Sequence, residues 1–130
     1  MSWLGRIADG VLGPRVPPGE LPGGPLPAGV TVRRNRWIPA IGGVTGAMNG
    51  PAAAVTLGGT ILINPEVKVD RGLLEHELVH VRQWREDRLF AVKYVAEWVR
   101  RGYWQNRYEL EAYEHERRFR AQETTEPRIP

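Results

Sequence analysis

The chain contains no cysteine. It can therefore form neither disulfides nor thiolate metal sites, and any metal it holds must be taken by nitrogen and oxygen ligands. It also lacks an apolar run approaching the ~20 residues that crossing a bilayer requires. Near the N-terminus, Arg6 and Asp9 interrupt what would be the apolar stretch of a secretory signal, so a cytoplasmic location is expected. No internal repeat is visible. The glycines at 42, 43, 46 and 50 lack the Gly-Lys-Ser/Thr ending of a phosphate-binding loop. Histidine is scarce, with three in the whole chain.

What is present suffices for one compact domain: 130 residues, 42% hydrophobic and 25% charged. The net charge of +3 is mildly basic, with arginines clustered at 33, 34 and 36, at 100 and 101, and at 117, 118 and 120. Glu114, Glu116 and Glu123 interleave with the last cluster. Such interleaving describes a solvated helix face more than a track for phosphates, and no nucleic-acid partner is expected.

Three regions follow from the patterning. In residues 1–29, Trp3, Leu4, Ile7, Val11 and Leu12 recur at helical spacing, predicting an amphipathic helix that Gly13 and Pro14 end. A Pro/Gly-rich linker follows to residue 27. The helix is expected to dock on its own domain, with a partner or a membrane surface as alternatives. Residues 30–122 carry the domain proper, and residues 123–130 read as a flexible tail.

Within the domain, Val30 to Val32 leading to Trp37 and Ile38 predicts a strand. A glycine-containing loop from Ile41 to Pro51 comes next, either a cover over a cleft or an ordinary surface loop. Two β-branched runs, Ala53 to Leu57 and Thr60 to Asn64, flank Gly58-Gly59, whose freedom to adopt positive φ suits a hairpin turn. Asp70 is placed to cap a helix from Arg71 to about Glu86. A second helix spans Leu89 to Arg101, with Phe90, Tyr94, Val95, Trp98 and Val99 on one face. A third runs from about Trp104 or Asn106 to Ala121. The expected fold class is α+β, a small antiparallel sheet followed by three helices.

The first of these helices contains His76-Glu77-Leu78-Val79-His80. Residues four apart share a helix face with Cβ atoms ~5–6 Å apart, so two imidazoles can converge on one cation. Glu77 stands beside that face, near enough to reach a water on the metal without filling a coordination position. Leu73, Leu74, Leu78, Val79 and Val81 provide the apolar sides that bury the helix. A catalytic zinc generally takes three protein ligands. The third could be His115 or a carboxylate of the segment Asn106-Arg107-Tyr108-Glu109-Leu110-Glu111-Ala112-Tyr113.

His76-Glu77-Leu78-Val79-His80 followed by Glu109-Leu110-Glu111-Ala112 resembles the gluzincin group of zincin metallopeptidases, especially its minimal single-domain members, across roughly Val55 to Phe119. The resemblance implies a zincin-like fold and Zn2+ held by His76, His80 and Glu109. It further implies a peptide or protein substrate, hydrolysed by water on the zinc with Glu77 as general base. A non-catalytic zinc-binding domain serving as an interaction or toxin-associated module is the alternative. Glu109 and Glu111 cannot both serve, because two positions turn a helix by about 200°; Glu109 is the expected ligand and Glu111 the alternative. In the group an acidic residue often follows the ligand by four positions and orients a zinc histidine. Here Tyr113 stands there. Relatives bind peptide along the sheet edge nearest the metal, and Thr60 to Asn64 is the expected edge.

Overall fold

The structure, a computed structural model, describes residues 3–37 and 53–125. The glycine-containing loop expected over 41–51 lies outside the described residues, as does Ile38. The order is α+β as read: a three-stranded sheet followed by three helices.

Strands β2 (Ala54–Leu57) and β3 (Thr60–Ile63) pair antiparallel across Gly58-Gly59. Only Gly58 takes the left-handed conformation, at φ 62°. Gly59 serves a different need: a Cβ there would lie 2.7 Å from the Gly29 carbonyl oxygen, in a turn that lets Thr31 N–H donate to Gly59 O at 2.9 Å. Strand β1 (Thr31–Arg34) joins the hairpin on its β3 side, so it runs parallel to β3, with Val32 opposite Ile61. The sheet is thus mixed, in the order β1-β3-β2. Both flanks of β3 are paired and Ile61, Leu62 and Ile63 are wholly buried, as a central strand requires. The edge beside the helices is consequently β2, not the Thr60 to Asn64 run.

The N-terminal helix α1 (Trp3–Leu12) buries none of its residues, and Trp3, Leu4, Ile7 and Val11 face outward. Its apolar face is therefore not docked on the domain. Polar bonds hold its end instead. Buried Arg33 donates to Asp9 Oδ1 at 2.5 Å and to Gly13 O at 2.8 Å, and Asn35 Nδ2 donates to Leu12 O at 3.0 Å. The stretch that follows lies against the sheet: Val16 N–H donates to Val32 O at 2.8 Å, and Leu21 enters the core. Arg34 is spent similarly, donating to the carbonyls of Asn64 and Val67.

Helix α2 (Arg71–Glu86) starts at Asp70, whose Oδ1 accepts from Leu73 N–H at 2.8 Å. Its Leu74 and Val81, two turns apart, pack with Val32, Ile61 and Ile63 to form the core. Helix α3 (Phe90–Arg101) turns Phe90 inward, while Val92, Val95 and Val99 face out. The buried stripe follows Phe90 and Glu97 instead of the valines of the predicted face. Gly102, at φ 76°, closes this helix with its N–H on Trp98 O. Helix α4 (Arg107–Thr125) packs across α2 and continues into the segment read as a tail. Trp104 is 56% exposed, so it does not fill the core.

Candidate metal centre

Helix α2 divides its faces among three neighbours. Leu74 and Val81 take the sheet, His76 and His80 face α4, and Glu77 meets β2. Across from the histidines, Asn106 sets the start of α4. It is completely buried, accepts from Tyr108 N–H through Oδ1 at 2.9 Å, and donates to Tyr94 O at 3.2 Å. That cap fixes Glu109 in the first turn of α4, where the helix dipole favours a carboxylate.

The two imidazoles and this carboxylate converge. His76 Nε2 lies 3.1 Å from Glu109 Oε2, and His80 Nε2 lies 3.2 Å from Glu109 Oε1. All three residues are buried, and one donor atom from each falls within 4.8 Å of the others. A tetrahedral ion with bonds of ~2.0–2.1 Å needs its donors about 3.3 Å apart; each imidazole-to-carboxylate distance is close to that value, and the group could hold a metal ion. Each imidazole is fixed from behind: His76 Nδ1 lies 3.0 Å from Glu116 Oε1, and His80 Nδ1 lies 2.8 Å from Gln83 Oε1. These contacts leave both Nε2 atoms turned toward the common point.

Burial opposes charge on Glu109 and His80. In Glu109 the two imidazoles overcome it and hold the carboxyl well below the usual carboxylate range. In His80 burial is outweighed by Glu109 and Glu77, and the imidazole is lifted to about 9. Tyr94 donates to Glu109 Oε1 at 2.8 Å, and Tyr103 to Glu109 Oε2 at 3.3 Å. Burial and the adjacent Glu109 charge raise both phenols, so they remain protonated donors.

Glu77 is 5% exposed and accepts from Thr56 Oγ1 at 2.6 Å through Oε2. The other candidates lie apart. His115 is exposed and contacts Glu75 at 2.9 Å, outside the trio. Glu111 pairs with Arg82 on the surface and accepts from Gln83 Nε2 at 3.3 Å, so it reaches His80 only through Gln83. Tyr113, at the position where an acid was expected, packs edge-on against the His76 ring at 4.4 Å and shares a hydrogen bond with Tyr103. The carboxylate behind His76 is Glu116. Sequence reasoning passed over it, although seven positions from Glu109 is two helical turns and returns to the same face.

The fold and the site together define an α+β domain with a buried His-His-Glu group that could hold a metal ion. The profile of a family described as eCIS core domain matches residues 44–88, less than half of the chain. Among the described residues this match contains β2, β3 and all of α2, including His76, Glu77 and His80, but not Glu109. No curated protein and no solved structure matches the chain. No helix among the described residues is long and apolar enough to cross a membrane.

Proposed function

We propose that the chain is a zinc-dependent peptidase. The observation that carries this reading is the convergence of His76, His80 and Glu109 beside a buried carboxylate, Glu77, that stays outside the ligand set. Zinc at that point would supply Lewis acidity, polarising a peptide carbonyl and acidifying water. Glu77 takes the proton from the attacking water and returns it to the leaving amine, while Thr56 holds the Glu77 carboxylate in place. Tyr94 and Tyr103 stand as protonated donors around Glu109, where they brace the ligand and exclude solvent. A peptide would lie along β2, whose outer edge has no partner strand among the described residues.

Glu77→Gln tests this directly. Hydrolysis of a peptide library should vanish while metal stoichiometry stays near one per chain; hydrolysis that survives unchanged sinks the enzymatic reading. The match to the eCIS core domain profile supports a second reading, in which the same zinc centre stabilises an interaction or toxin-associated module. On that reading, zinc binds but no peptide in the library is cut by the parent protein.

A further inference from the structure

The Glu116 carboxylate divides its two oxygens. Oε1 contacts His76 Nδ1 at 3.0 Å, and Oε2 accepts from Arg120 Nε at 2.8 Å. The same guanidinium forks onto the α2 cap, donating to Asp70 Oδ2 at 3.2 Å and to Asp70 Oδ1 at 3.1 Å. An unbroken line of contacts thus runs from the start of α2, through one arginine of α4, to the back of a candidate ligand. Gly72 supplies the space for it. This glycine is the second residue of α2 and has no positive φ, so its backbone does not require glycine and alanine could adopt the same conformation. A Cβ at that position would overlap the Arg120 guanidinium.

We infer that Arg120, seated in the notch left by Gly72, is a positioning residue that holds Glu116 against His76 and so pre-aligns the metal centre. The inference rests on the metal-binding reading above. The Arg120 and Asp70 side chains are 44% and 55% exposed, and ion pairs so open to water contribute little to stability. Geometry is what the line of contacts provides. A guanidinium suits the task because its planar fork engages two carboxylates in fixed directions.

The full chain carries the test, in the parent and in Arg120→Met, Gly72→Ala, Glu116→Gln and the double variant Arg120→Met/Glu116→Gln. Zinc affinity is read by chelator competition. In the EDTA-treated proteins, the imidazole N–H resonance of His76 is followed by NMR. Glu116→Gln should weaken zinc by about 10–100-fold, as loss of an orienting partner does, and Arg120→Met by up to about tenfold. The double variant should lose no more than Glu116→Gln alone, because both changes break one line. Gly72→Ala should weaken zinc and broaden the His76 signal while the melting temperature holds or rises, a combination that a merely structural role cannot produce. Parental affinity and a sharp His76 signal in both Arg120→Met and Gly72→Ala would overturn the inference, as would strictly additive losses in the double variant. If the parent takes up no zinc, the metal reading fails, and the metal-free His76 signal alone decides whether Arg120 positions Glu116.

Discussion

Thr56 Oγ1 donates to Glu77 Oε2 at 2.6 Å, and both residues are buried. This bond ties the edge strand to the proposed general base. It takes up one oxygen of the carboxylate and leaves the other to meet a reacting proton. The strand is itself held, since Trp84 Nε1 donates to Thr56 O at 3.1 Å. Thr56→Val keeps the shape but removes the donor, which leaves a buried carboxylate short of a partner. Turnover should fall about 10–100-fold with KM little changed, whereas Thr56→Ser should recover most of it. Steady-state kinetics on one peptide substrate check this. Equal losses in the valine and serine variants would assign Thr56 to packing alone.

The ligand set makes its own prediction. Glu109→Ala removes the carboxylate that both imidazoles face, and zinc stoichiometry in purified protein should drop well below one per chain. Glu111→Ala removes a surface partner of Arg82 and should leave stoichiometry intact. Metal analysis of the two variants side by side distinguishes them, and the reverse pattern would reject Glu109 as the ligand.

Proton competition gives the pH dependence. In the metal-free chain His80 is lifted to about 9, above its ordinary value of 6.5. A raised folded-state pKa means the protonated ring stabilises the fold fully below pH 6.5, and that stabilisation is lost as pH rises through 9. A metal must displace this proton. Apparent zinc affinity should therefore tighten about tenfold per pH unit between 6.5 and 9 and level off above. Competition titrations at several pH values measure the slope. A flat profile over that window would show that His80 is not the group displaced.

Much of the site could be read along the chain because helices are local objects. The four-residue spacing of His76 and His80 places them on one face wherever the helix sits, and Asp70 caps it by a bond to a residue three positions on. Glu109 needed the family resemblance, since nothing nearby in sequence tells one acid of α4 from another. Contacts set by how elements cross were not legible. Thr56 reaches Glu77, and Glu116 reaches His76, only because β2 and α4 approach α2 at particular angles. The sheet shows the same division. The Gly58-Gly59 hairpin is local and was read, while the parallel placement of β1 beside β3 depends on which edge a distant strand joins. On α3 the expected apolar face is met in part: Phe90 is buried and Tyr94 and Trp98 are half-buried, while Val95 and Val99 lie in solvent and Glu97 is buried instead.

Removing the metal should be visible in stability, independently of any catalysis. The three candidate ligands lie in a buried seam between α2 and α4, the two helices packed most extensively on each other. An ion that binds this seam in the folded chain and not in the unfolded one stabilises by about 2.7 kcal/mol at a free concentration of a hundred times Kd. For a domain of this size that corresponds to a melting temperature roughly 10 °C higher in zinc than in EDTA. His76→Ala should abolish the difference, because the remaining pair of donors cannot enclose the ion. Val92→Ala, at an exposed position of α3, should leave the difference untouched even where it shifts both melting temperatures together. Thermal denaturation in paired zinc and EDTA samples reads this out, and a His76→Ala variant that still melted higher in zinc would place the ion somewhere other than between α2 and α4.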